Sequence, residues 1–133
     1  MRGRNLAMAA ALVGGTMFLS GCASVDVAKT FNDQRLTTER TNAVAHLNGD
    51  CWGVYLLSIV PLITGDTSAS GGTVAWGQDN CTVDAVTGML TRKSKELGAT
   101  QTVNLTSRRD STWIAPLLIF WYKDTQVSGN AVN

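Results

Sequence analysis

Apolar and polar positions alternate through much of the chain, and one stretch repeats with helical spacing. From Asn42 the segment Ala43-Val44-Ala45-His46-Leu47 leads into Asn48-Gly49, and the nearly continuous apolar run from Asp50 to Val60 follows. Asn-Gly tolerates the positive φ of a type I′ turn, so it predicts either a hairpin or a plain loop between two strands. Pro61 and Gly65 are expected to end the second strand. Thr64 to Gln78 is rich in Gly and Ser and reads as a long loop. A helix is predicted next, capped by Asp79 or Asn80 and closed by Gly98. Its apolar stripe is Val83, Val86, Leu90 and Leu97, with Arg92, Lys93 and Lys95 on the other side. Gly88 weakens it by about 1 kcal/mol relative to Ala.

Beyond Gly98, Thr100 to Thr106 alternates as a strand, and Ser107-Arg108-Arg109-Asp110-Ser111 reads as a polar turn. Trp113 to Tyr122 is an uncharged run, either a core strand or an exposed apolar edge for a partner or a lipid surface. It is too short to span a bilayer as a helix, and Pro116 interrupts it. Thr125 to Val132 is a last extended segment. Strands, one helix, then strands again predict an α+β domain: a small, mainly antiparallel sheet with one amphipathic helix packed on one face.

The first 22 residues have a different organisation. Arg2 and Arg4 precede the apolar run from Leu6 to Leu19, which has the plan of a secretory signal. It ends in Leu19-Ser20-Gly21-Cys22, which resembles the lipobox of bacterial lipoproteins. The resemblance implies cleavage before Cys22 and acylation of its thiol. Residues 1–21 are then a signal peptide, 22–41 a lipidated N-terminus and tether, and 42–133 a periplasmic domain. The tether assignment rests on Ala23 to Thr41 having no sustained period. In such lipoproteins an Asp after the cysteine favours retention at the inner membrane, so the resemblance, with Ala23 there, implies export to the outer membrane if the host is Gram-negative.

Composition narrows the functional classes. The whole chain has 11 basic and 10 acidic residues, and loss of Arg2 and Arg4 leaves 9 basic, a mature net charge of about −1. That balance argues against nucleic acid as a partner and against electrostatic adhesion to anionic lipid. Attachment would fall to the acyl chains on Cys22, at roughly 0.8 kcal/mol per buried methylene. One histidine, His46, excludes motifs that need two. Asp50, Asp66, Asp79 and Asp84 fall where turn and capping roles explain them, so no catalytic residue, cofactor or metal site is expected.

Four tryptophans are many for a small domain. Trp76 stands in the Gly-rich loop, where exposure is expected, and Trp113 and Trp121 flank the uncharged run. These three are the candidate partner-binding residues, since Trp is enriched in binding hot spots. With Cys22 consumed by lipid, Cys51 and Cys81 remain as a candidate disulfide in an oxidising compartment. The geometric objection is that a helix starting beyond a long strand would lie far from Cys51.

The domain half resembles short bacterial lipoproteins of the TRL-like kind at Ile59-Val60-Pro61-Leu62-Ile63-Thr64-Gly65, at Leu97-Gly98-Ala99 and at Gly129-Asn130-Ala131-Val132. A lipid anchor, an α+β domain and internal disulfides are also the plan of RcsF-type envelope lipoproteins. These likenesses imply a non-enzymatic envelope protein with an envelope protein as partner. It is expected to be a binding or structural module or, alternatively, a stress sensor that signals to a membrane partner.

Overall fold

The computed structural model describes residues 23–31, 34–35, 42–68, 73–114 and 119–133. The strands are β1 (Ala23–Ala28), β2 (Thr30–Phe31), β3 (Gln34–Arg35), β4 (Ala43–Leu56), β5 (Val60–Gly65) and β6 (Val74–Trp76). One helix, α1 (Val83–Glu96), precedes β7 (Gln101–Trp113) and β8 (Phe120–Val132). The main sheet is antiparallel in the order β6-β5-β4-β8-β7, with β1 also paired to β4, while β2 and β3 form a small separate ladder. The domain is α+β, with its helix on one face of the sheet.

β4 organises this arrangement. Its burial alternates strictly from Ala45 to Tyr55, so Ala45, Leu47, Gly49, Cys51, Gly53 and Tyr55 all point to one face. In β8 the matching buried row is Thr125, Val127, Gly129 and Ala131. Val86, Met89, Leu90 and Ser94 of α1 close over these rows. Fully burying each Leu or Val of this layer contributes roughly 1.5–3 kcal/mol. The predicted stripe therefore holds at Val86 and Leu90. Val83, by contrast, is half out of the layer and Met89 belongs to it.

The Asn48-Gly49 hairpin is not formed. β4 runs straight through both residues, pairing Asn48 with Ser128 and Gly49 with Val127. Gly49 serves a different purpose: a Cβ there would lie 3.1 Å from Val86 Cγ1, so the missing side chain lets the helix approach the sheet. The actual reversal is at Leu57 and Ser58, both at positive φ (50° and 61°), with Ile59 N–H bonded to the Leu56 carbonyl. Two central residues at positive φ make a type I′ turn, here without the Asn or Gly it usually recruits. Nor does Pro61 end a strand. It lies within β5 at a register irregularity beside Tyr55, beyond the residues that pair with β6, so its missing N–H breaks no ladder there.

Four further expectations change. Ala23–Ala28, assigned to a tether, is a strand whose register runs from Ala23 opposite Cys51 to Ala28 opposite His46. Ala23, Val25 and Val27 alternate onto the core side, a period too short to stand out in the sequence, and pairing with β4 satisfies the backbone between them. Ser107–Ser111 is not a turn but the middle of β7, an edge strand. Polar and charged residues suit such an edge because they discourage further pairing. Trp113 to Tyr122 is not one strand: Trp113 ends β7, Phe120 starts β8, and the two strands pair as a hairpin. The loop read over Thr64–Gln78 is likewise interrupted by β6.

The helix begins two to three residues later than the predicted caps. Thr82 is the N-cap, its hydroxyl accepting from Ala85 N–H at 3.2 Å. The C-terminus ends as predicted at Gly98, which has φ 84°, with Gly98 N–H bonded to the Lys95 carbonyl and Ala99 N–H to that of Ser94. That pair of bonds is a Schellman closure.

The glycines make opposite predictions. A Cβ on Gly53 would meet Thr64 Cγ2 at 2.8 Å and the Ile63 carbonyl oxygen at 2.9 Å, whereas one on Gly88 meets nothing within 4 Å. Gly53→Ala is expected to destabilise by about 1–3 kcal/mol through overpacking. Gly88→Ala is expected to stabilise by about 0.5–1 kcal/mol through helix propensity. Urea unfolding of the two variants should move the midpoint in opposite directions.

Candidate functional site

The candidate residues fall in three places. The first is the corner where the chain crosses from the sheet to the helix. Cys51 and Cys81 form a disulfide there, with Cα atoms 5.2 Å apart. The geometric objection fails because the chain doubles back before the helix. Gly77 turns the chain, its N–H bonded to the Leu62 carbonyl. Thr64 Oγ1 then donates to the Gln78 carbonyl at 2.8 Å, and Thr125 Oγ1 donates to the Cys81 carbonyl at 2.7 Å. Tyr55 anchors the same corner: its hydroxyl donates to Asp79 at 2.6 Å, and Arg109 stands 3.8 Å from the other carboxylate oxygen. Burial, then the hydrogen bond to Asp79, pushes the Tyr55 hydroxyl well above its usual range. Asp79, expected as a cap, is thus a partner of Tyr55.

The second place is the sheet face away from the helix. β4 directs His46, Asn48, Asp50 and Trp52 there, opposite Asn130, Ser128, Gln126 and Asp124 of β8. His46 Nδ1 donates to Asn130 Oδ1 at 2.7 Å. The Trp52 and Tyr122 rings lie 5.7 Å apart, tilted by 30°. Asp50 is the unusual member of this face. Partial burial, a hydrogen bond with the Asp124 carboxyl and the charges of Asp124 and Asp26 push its carboxyl up to about 6. Sequence reasoning missed this group, because Asp26, Asp50 and Asp124 come from three strands and share no local motif. Asp50, expected in a turn, lies mid-strand.

The third place is the surface carrying the candidate tryptophans. Trp113 and Trp121 stand opposite each other in the β7–β8 register. Trp76, on the outermost strand at the other edge, is 69% exposed. The structure therefore brings Trp113 and Trp121 together and leaves Trp76 apart. The uncharged run is exposed at its described ends, at Trp113, Ile114, Ile119 and Tyr122, rather than forming a core strand. Cys22, the expected lipidation residue, lies outside the described residues. Among the described residues, no group of three or more His, Cys, Asp or Glu side chains is placed to hold a metal ion. No described helix is long and apolar enough to cross a membrane. No protein family, curated protein or solved structure matches the chain.

Two measurements probe these arrangements. For a separation of 30 residues, the disulfide is expected to stabilise by about 3–4 kcal/mol in the chain-entropy model. The Cys51→Ala/Cys81→Ala variant should lose that much in denaturant unfolding. Reductant should lower the stability of the wild type alone. Asp50 gives a pH signature. Its folded value of about 6 lies above the ordinary 3.8, so its contribution is fully present below about pH 4 and is lost as pH rises through 6. Asp50→Asn should flatten the stability profile between those limits. At neutral pH it should be more stable than the wild type by on the order of 1 kcal/mol, after allowing for solvent screening.

Proposed function

We propose that this chain is a lipoprotein of the bacterial outer membrane, anchored through acyl chains on Cys22, with its domain facing the periplasm. There it acts as a non-enzymatic binding or structural module for another envelope component. The observation that carries the reading is Leu19-Ser20-Gly21-Cys22, placed directly after a charged start and a short apolar run. The Cys51–Cys81 disulfide supports it, because such bonds persist in exported proteins and are rare in a reducing cytosol. Exposed aromatic and aliphatic side chains at Trp76, Trp113 and Ile119 support a binding role. A second reading, an envelope-stress sensor, is favoured by Asp50: a carboxyl pushed up to about 6 changes charge under mild acid. Crosslinking in intact envelopes separates the two, since a module keeps one partner and a sensor changes partner with stress.

Anchoring is tested by growing cells with labelled palmitate. The wild type should take up label and sediment with membranes, and Cys22→Ser should do neither. Equal labelling of both proteins would rule the anchor out.

A further inference from the structure

With β1 starting at Ala23, a single peptide bond separates Cys22 from a strand hydrogen-bonded into the main sheet. A domain acylated at Cys22 therefore cannot stand off the bilayer on a tether, and one of its surfaces must face the lipid. The topology selects which one. β8 pairs along one edge of β4 from Ala43 to Leu56. The other edge is shared end to end by β1, opposite residues 46–51, and β5, opposite residues 53–56. The chain following Cys22 thus joins the sheet on the same edge as β5, and β5 carries β6 outermost.

That edge and the β4–β5 turn at its far end hold the four most exposed large apolar side chains among the described residues: Ile59 at 80%, Trp76 at 69%, Leu57 at 60% and Val60 at 50%. No charged residue occurs from Cys51 to Gly65 or from Thr67 to Gln78. The turn is tied to β8 and the residue before it, with Leu57 N–H bonded to the Ile119 carbonyl at 2.7 Å and Lys123 Nζ to the Ser58 carbonyl at 2.6 Å. Leu57 is exposed from a left-handed backbone position, with φ 50°, that non-glycine residues disfavour. An apolar side chain held out from an unfavourable backbone is the kind of local conflict that marks a functional surface.

Spacing along β4 sets the orientation. Trp76 lies level with Ile63 and Val54, and the turn lies beyond Leu56. At about 3.4 Å per residue, Trp76 and Leu57 fall roughly 10 and 20 Å past the level of Cys51, where β1 begins. The anchor and these side chains can reach one plane only if the edge lies along the surface. We propose that Leu57, Ile59, Val60 and Trp76 form a membrane-docking edge that rests in the lipid interface beside acylated Cys22. The domain then lies edge-on, with β7 and its Arg108, Arg109 and Asp110 facing away from the bilayer. The inference rests on acylation of Cys22.

The test uses the full-length acylated protein in vesicles of phosphatidylethanolamine and phosphatidylglycerol, with and without nitroxide-bearing lipid. With Cys22 acylated and Cys51 bonded to Cys81, Ile59→Cys and Trp76→Cys each offer one thiol for an environment-sensitive dye. Lys95→Cys, on the exposed side of α1, is the control. Side chains buried about 5–10 Å into the interface should place the dyes at 59 and 76 within reach of the nitroxide, each losing more than about half its emission. The dye at 95 should keep most of its emission. Protein that floats with the vesicles while 59 and 76 are quenched no more than 95 would overturn the docking edge and leave the anchor standing. Crosslinks from 59 to a protein in native envelopes, with no quenching in vesicles, would assign the edge to that partner instead and equally overturn the proposal. Protein that fails to float would remove the anchor, and the docking edge with it.

Discussion

The structure depends on one two-faced strand. β4 is paired along its whole length by β8 on one edge and by β1 and β5 on the other, so its backbone is satisfied almost throughout. Its alternate side chains are then free to build two different surfaces. The Leu47, Cys51 and Tyr55 row makes the floor on which α1 rests, and the His46, Asp50 and Trp52 row makes the opposite face. Glycine at 49 sets how closely the helix can approach that floor, because a Cβ would press on Val86.

A single helix over a sheet gives a thin core, and the remaining order comes from covalent and polar ties at the crossing. The disulfide joins the floor strand to the residue just before the helix cap. Around it the buried hydroxyls of Thr64 and Thr125 donate to the Gln78 and Cys81 carbonyls, so the connecting chain leaves few backbone groups orphaned. Ser94 is buried under the helix yet receives a hydrogen bond from Thr102 at 2.9 Å, which ties α1 to β7. Among the described residues no buried side-chain nitrogen or oxygen lacks a partner, as a uniquely packed small domain requires.

Polarity is distributed unevenly over the rest of the surface. The centre of the open face gathers Asp26, Asp50 and Asp124, where partial burial, then the bond to Asp124 and the neighbouring charges, raises the Asp50 carboxyl. The β4–β5 turn and the β6 edge are uncharged and apolar, while β7 presents Arg108, Arg109 and Asp110. An acidic face, an apolar edge with its adjoining turn and a charged edge on one sheet give the domain a direction, and β1 joins on the side of the apolar edge.

Elements whose signals are local were legible in the sequence. The helix was, because its period, its basic last turn and Gly98 all lie within one segment. So were the α+β class and the cysteine pair, since order of elements and elimination among three cysteines require no coordinates. What the sequence could not show depends on contacts between distant segments. Ala23–Ala28 alternates over too few residues to be read as a strand until β4 offers it an edge, and Ser107–Ser111 stays extended because β8 pairs with it. Asn48-Gly49 carries the strongest hairpin signal in the chain, yet pairing on both sides holds it straight. Leu57-Ser58 carries none, yet the antiparallel pairing of β4 with β5 forces it to turn. Local propensity is worth at most about 1 kcal/mol per residue, and two paired neighbours with a buried face outweigh it. The sequence by itself thus determined the class of fold, the helix and the pairing of Cys51 with Cys81. Only the tertiary structure decided which turns form, which carboxylates meet and which apolar side chains stay outside, because each of those is set by pairing partners far away in the chain.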